Sequence, residues 1–178
     1  MARPQAYICC MASYRSRSRL MPLVVLPPLF SGTALAVALA SQFWGGLQPC
    51  VLCLYQRWPH AAALVLGMIA VLLVRSGHTR PARFLTYLAG LALLVTAGIG
   101  AFHMGVEWRW WEGTASCGST LGAGASVDDL RAALLATPVV RCDAVAWSFL
   151  GISMAGYNFI LSGLLGIIVL IRTAHSKA

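Results

Sequence analysis

A chain of 178 residues that is 59% hydrophobic and 10% charged is too apolar for an ordinary water-soluble domain and reads as a membrane protein. Nine of its 13 Lys and Arg lie in the two tails and one connection, and there is no basic stripe interleaved with aromatics outside the tails, which excludes a nucleic-acid-binding function. Four stretches nearly free of charge, at about 21–44, 54–74, 84–104 and 147–171, each supply the ~20 residues a helix needs to cross a ~30 Å hydrocarbon core.

The first 20 residues form a basic tail carrying Arg3, Arg15, Arg17 and Arg19, with Met11 and Met21 as alternative starts. Cys9 and Cys10 lie in this tail and are read as incidental. Arg15 to Arg19, an apolar run and Ala38-Leu39-Ala40 together resemble a secretory signal with its cleavage site. The apolar run continues to Trp44, however, past the usual h-region of about 7–15 residues, so an uncleaved first helix is expected. Gly45-Gly46-Leu47-Gln48-Pro49 is a short turn into the second span. A cytoplasmic connection with Arg75, Gly77, Arg80, Pro81 and Arg83 leads to the third. A long outer loop follows, at about 105–146. Within it Ser126 is a candidate N-cap, Asp128 and Asp129 sit in the first turn, Val127, Leu130 and Leu134 share a face, and Pro138 ends the run. That is a short amphipathic helix, either lying on the membrane surface or packed within the loop. The fourth span ends at a C-terminal tail of residues 173–178.

The expectation is an all-α membrane protein: a four-transmembrane-helix bundle over 21–172 with a long periplasmic loop. Nine of the 13 Arg and Lys fall in the N-tail, the second connection and the C-terminal end (Arg172, Lys177), so both termini are placed in the cytoplasm. The acids Glu107, Glu112, Asp128, Asp129 and Asp143 all fall on the other side. All six tryptophans, Trp44, Trp58, Trp108, Trp110, Trp111 and Trp147, mark that outer boundary as an aromatic belt.

The remaining cysteines, Cys50, Cys53, Cys117 and Cys142, all fall on this outer side. A Cys-x-x-Cys pair signals redox or metal chemistry. Zinc would require a second close knuckle, which Cys117 and Cys142 do not form, so no metal is expected. Cys117 and Cys142 are either a structural disulfide bracketing a Gly-rich loop or one half of a thiol–disulfide relay. Pro49 suits a helix start, which places Cys50 and Cys53 in a first turn whose dipole favours a thiolate. Cys50, Cys53, Arg57 and His60 follow at spacings of three, four and three, on one helix face. Arg57 is a costly charge inside an apolar span, at roughly 2.5–3.5 kcal/mol near the bilayer centre, and is either a snorkelling side chain or a partner for an anionic acceptor. A lipid-soluble quinone suits such a site. His60 is read as a packed polar residue or a quinone neighbour.

Pro49-Cys50-Val51-Leu52-Cys53-Leu54-Tyr55-Gln56-Arg57, with Trp58-Pro59-His60 after it, resembles the signature of the DsbB family of bacterial disulfide-bond-formation membrane proteins. His103-Met104-Gly105-Val106-Glu107-Trp108, leading to Trp111 and Cys117, is similar to the stretch before that family's loop cysteines. Cys142-Asp143, then Trp147, Gly151, Ser153, Met154, Ala155 and Asn158, resembles the start of its fourth helix. The resemblance runs from about residue 21 to the end. It implies a protein-disulfide oxidoreductase of the inner membrane. A periplasmic DsbA-like thioredoxin-fold protein would attack the Cys117–Cys142 disulfide. Electrons would pass to Cys50 and Cys53 through a Cys117–Cys50 link, then to ubiquinone, or menaquinone, from the membrane pool. Arg57 would hold the quinone, and His103 resembles a family histidine near it. Gln56 departs from the Glu found before the arginine in well-studied members. The resemblance also gives the acceptor its logic: a DsbA couple near −120 mV needs a stronger oxidant to regenerate it.

Two other classes fit the residues. One is a haem- or quinone-binding electron carrier using His60 and His103. The other is a structural membrane protein with a disulfide-stapled loop. A vitamin-K-epoxide-reductase-like bundle shares the chemistry but places its loop cysteines before the Cys-x-x-Cys, the reverse of the order here.

Overall fold

The computed structural model describes residues 4–114, 117, 126, 128 and 140–176, with side chains from Leu20 onward. The loop helix expected over 126–138 lies outside the described residues apart from Ser126 and Asp128. So do the side chains of Cys9 and Cys10.

The described residues contain four long helices. The first, α1, runs Pro4–Phe43, and its Leu20–Phe43 portion is long and apolar enough to cross a membrane. Pro22, Pro27 and Pro28 interrupt its hydrogen-bond ladder without ending it, as neighbouring helices permit inside a bilayer. Helix α2 (Val51–Arg75) and helix α3 (Thr79–Glu107) each qualify as spans over their full length. Next, β1 (Ser148–Phe149) pairs antiparallel with β2 (Ile152–Ser153), Ser148 facing Ser153. Leu150 (φ 50°) and Gly151 (φ 77°) form the turn between them, and two positive φ values in a two-residue turn are what a tight hairpin demands. The last span, α4, is Met154–His175. It starts seven residues after the expected 147, because the hairpin takes up residues 148–153.

With four membrane-spanning helices among the described residues, the chain is a multi-pass membrane protein. Helix α3 packs on both α2 and α4, while α1 lies chiefly against α2. Small residues let the backbones approach. A Cβ on Gly100 would stand 3.0 Å from the Ala155 carbonyl oxygen, and one on Gly166 would stand 3.1 Å from the Gly90 oxygen. The interior is correspondingly fine-grained, built on Ala63, Ala89 and Leu93 at mid-depth and on Val24, Ala70, Val74 and Ala82 toward one end. Val65, Leu72, Leu164 and Ile168 face outward, as lipid-facing residues do. At the basic end Arg83 donates to the Thr173 carbonyl (3.2 Å), tying the start of α3 to the end of α4. At the opposite end stand the exposed tryptophans and the start of α2.

Candidate redox site

Cys50 is the N-cap of α2, not a first-turn residue as expected. Its backbone is extended (φ −74°, ψ 171°), and its sulfur accepts the Cys53 backbone N–H at 3.2 Å. Cys53 lies in the first turn, and the two sulfurs are 2.7 Å apart. Cys50 is buried and Cys53 half-buried. The hydrogen bond to Cys53, and then burial, push the Cys50 thiol above its ordinary value.

Cys117 and Cys142 are joined by a disulfide, with Cα atoms 5.1 Å apart. The Cys142 backbone N–H donates to the Cys117 carbonyl (3.1 Å), and the Thr114 hydroxyl lies 3.3 Å from the Cys117 sulfur. Cys50, Leu52, Val106, Cys117 and Cys142 form one buried cluster, with Cys53 and Val140 packed against it. The two cysteine pairs thus share a single apolar pocket at one end of the bundle. Beside Cys142, Arg141 and Asp143 make a bidentate pair at 2.7–2.8 Å on the surface, and this hydrogen bonding holds the Asp143 carboxyl below the usual carboxylate range.

Below the cysteines opens a cavity of about 470 Å³ whose boundary includes Cys50, Cys53, Arg57, His60 and His103. Its remaining walls are mostly apolar, among them Phe30, Ala34, Val37 and Leu161. Every sequence-predicted site residue on the helices therefore meets at one cavity. Arg57 donates to Gln42 Oε1 (2.7 Å) and to the Ala38 carbonyl (3.3 Å), both on α1. His103 lies with Nε2 3.5 Å from the Cys50 sulfur and 3.8 Å from Glu107.

A polar network behind these residues was not expected. Gln56 Nε2 faces His103 Nδ1 (3.0 Å), and Gln56 Oε1 accepts from Asn158 (2.6 Å). Asn158 Oδ1 faces His60 Nε2 (2.9 Å) and accepts from Ser162 (2.6 Å). Thr96 donates to the Gln56 carbonyl at 3.0 Å. Glu107, read from sequence as a loop acid, is the last residue of α3 and accepts a hydrogen bond from the Ser153 hydroxyl. The signal for Asn158 and Ser162 was in the sequence: two polar residues four apart on one face of an apolar span, where polar groups mark function or mutual pairing. Gln56 points into the bundle at His103 and Asn158.

Chemically, the arrangement offers two sulfur pairs within one cluster, a fixed guanidinium, an imidazole on one sulfur and an apolar chamber beside them. In the dithiol state the sulfurs of Cys50 and Cys53 and Nε2 of His103, all within 4.8 Å of one another, also form a three-ligand set for a soft metal. The same three atoms are what thiol chemistry beside a basic side chain requires.

The family model described as disulfide bond formation protein DsbB matches residues 18–172. Disulfide bond formation protein B of Xylella fastidiosa strain Temecula1 is 32% identical over 157 residues, spanning 84% of this chain and 88% of the relative. The protein of that name from Polaromonas naphthalenivorans is 30% identical and spans 88% and 91%. That from Acinetobacter baumannii is 28% identical and spans 80% of each. No solved structure matches the chain.

Proposed function

The chain belongs to the DsbB family and is a membrane disulfide oxidoreductase, and on that premise we propose that it passes electrons from a periplasmic dithiol protein of the DsbA type to a membrane quinone through Cys117–Cys142 and then Cys50–Cys53. The observation that carries this reading is the shared cluster of the two cysteine pairs at the mouth of the cavity. Exchange requires a thiolate to reach a disulfide sulfur through a mixed intermediate, and sulfurs packed in one cluster need little motion to do so.

Residue roles follow from position. Cys117 receives the partner's attack: its bond to Cys142 breaks, and the electron pair stays on Cys142. Cys50 is buried against both loop cysteines and is the sulfur that links to Cys117. Cys53 is the more exposed of its pair and borders the cavity, so it faces the acceptor. Arg57 presents a fixed positive charge to that chamber, and His103 presents an imidazole. The chamber fits a quinone: apolar walls for a ring and prenyl chain, with a cation and a thiol at one end. Bound there, a quinone accepts two electrons and two protons. Ubiquinone and menaquinone both meet these demands. His60 is tied to Asn158 and contributes to the chamber's packing and polarity.

The test is oxidation of a reduced DsbA-type protein by the purified membrane protein, with and without added quinone, and with each of the six cysteines replaced by serine in turn. Turnover is expected only with quinone, and to be lost on replacing Cys50, Cys53, Cys117 or Cys142. Full turnover without Cys50, or without quinone under anaerobic conditions, would sink the reading.

A further inference from the structure

Hydrogen-bond direction can be traced through the buried network, because two backbone carbonyls, which only accept, anchor it. The Asn158 amide nitrogen lies 3.3 Å from the Thr96 carbonyl, so its NH2 group faces that way and its oxygen faces Ser162 and His60. The same NH2 group donates to Gln56 Oε1 at 2.6 Å. The Gln56 NH2 group faces the Leu52 carbonyl (3.3 Å), and it is this group that meets His103 Nδ1 at 3.0 Å. A ring nitrogen that meets an NH2 group must offer its lone pair. The His103 proton then sits on Nε2, on a side lined by acceptors: the Cys50 sulfur at 3.5 Å, Glu107 Oε1 at 3.8 Å and the Cys142 backbone carbonyl.

We propose that Asn158 and Gln56 are positioning residues that hold His103 as the neutral Nε2–H tautomer and aim that N–H at the Cys50 sulfur. Both border the chamber but neither hydrogen-bonds a cysteine sulfur; each acts on Cys50 through the next. Two backbone carbonyls on different helices, α2 and α3, set the direction, so the tautomer is written into the packing of the bundle. A second ring nitrogen obeys the same logic: His60 Nε2 faces the Asn158 oxygen and must carry its proton there, leaving Nδ1 to accept from Ser31 at 3.4 Å.

The consequence rests on the reading of Cys50 as a redox sulfur. When Cys50 is displaced from a disulfide, a new S–S bond forms between the attacking sulfur and Cys50's former partner, and the electron pair of the broken bond stays on Cys50. That departing thiolate meets a donor already in place, with no reorganisation at the moment of transfer. A carboxylate at position 56 would accept where the Gln56 amide donates. It would draw the His103 proton to Nδ1 and leave Nε2 with a lone pair facing the sulfur.

The experiment is nitrogen NMR of 15N-histidine-labelled full-length protein in lipid nanodiscs, in the dithiol state, with His103→Gln used to assign the His103 signals. The ring shifts separate the two neutral tautomers from each other and from the imidazolium. The unsubstituted protein is expected to show His103 protonated on Nε2 and bare on Nδ1. Gln56→Glu is expected to move the proton to Nδ1 or to add a second one. Release of Cys50 from a mixed disulfide, measured in a Cys53→Ser background, is expected to slow about tenfold when Asn158→Leu frees the Gln56 amide to rotate, the scale set by loss of one hydrogen bond to a charged group. His103 found on Nδ1 in the unsubstituted protein overturns the proposal, and so does an unchanged tautomer in Gln56→Glu. Neither readout needs quinone or partner protein, so failure here is distinguishable from failure of the thiol-to-quinone reading.

Discussion

Arg57 spends two of its N–H groups on α1, one on Gln42 and one on the Ala38 carbonyl, and so holds a fixed place on the cavity wall. A pre-placed guanidinium loses little freedom when it meets an anionic oxygen. Arg57→Ala is expected to raise the quinone concentration needed for half-maximal rate by roughly tenfold or more, since hydrogen bonds to charged groups contribute about 1.5–3 kcal/mol. Exchange between the partner and Cys117 should be unaffected, because Arg57 does not touch the loop disulfide. Full rate at subsaturating quinone would remove Arg57 from the acceptor site. The thiols make a second prediction. Cys50 is 4% exposed while Cys53 is half-buried, and both border the cavity. In reduced protein at neutral pH, iodoacetamide followed by peptide mass mapping should find Cys53 modified well before Cys50, and the reverse order would contradict the assigned roles. Sequence spacing was enough to bring Cys50, Cys53, Arg57 and His60 to one face, since i to i+3 and i+4 steps are properties of a single helix. It did not disclose that Gln56 turns toward His103 and Asn158, because those pairings join residues 47 and 102 positions apart and exist only once three helices have packed.

Ser153 serves two elements at once: its oxygen caps α4 by accepting the Gly156 N–H at 3.2 Å, and its hydroxyl proton goes to Glu107 at the end of α3. Ser153→Ala removes both and strands a carboxylate that is half-buried beside His103. The lost cap alone costs about 0.5–2 kcal/mol. Thermal unfolding in detergent should show Ser153→Ala melting earlier than the unsubstituted protein and Ser153→Thr recovering most of the difference. An unchanged midpoint would show that the hairpin fixes the start of α4 without its cap. The hairpin is the element that hydropathy could not mark. Residues 147–153 are apolar enough to join a span, and only the pair of positive φ values at Leu150 and Gly151 separates a turn from a helix. A second contact, between α1 and α2, is equally specific. A Cβ on Gly67 would stand 2.8 Å from the ring Cγ of Pro28, which cannot swing aside. Gly67→Val is expected to destabilise the bundle by about 1–3 kcal/mol through overpacking, read by the same melt. The sequence marks Gly67 only as a small residue in an apolar run; its need to be small comes from a proline on another helix.

At the scale of the whole molecule, the redox chemistry and a cluster of unbalanced basic residues sit at opposite ends of the bundle axis. The sulfurs, the tryptophans and Glu107 gather where α1 ends and α2 begins. Arg75, Arg80, Arg83 and Arg172 gather at the other end, where Arg83 binds the C-terminal turn of α4. This polarity was legible in the sequence because charge and aromatic residues sort along a membrane helix by depth, whatever the packing. It carries a functional demand: disulfides persist on the oxidising side of the membrane, so the sulfur end must face the periplasm and the basic end the cytoplasm for the two cysteine pairs to cycle. Site-directed labelling tests the orientation in intact cells. With the native cysteines replaced by serine, Ser76→Cys at the basic end and Glu112→Cys at the tryptophan end are exposed positions on opposite ends of the bundle. A membrane-impermeant maleimide should label Glu112→Cys in intact cells and Ser76→Cys only after the inner membrane is permeabilised. The opposite pattern would set the Cys50–Cys53 pair in a reducing compartment, where a dithiol partner has no disulfide to hand on. The proposed direction of electron flow would then fail, even with every distance in the site unchanged.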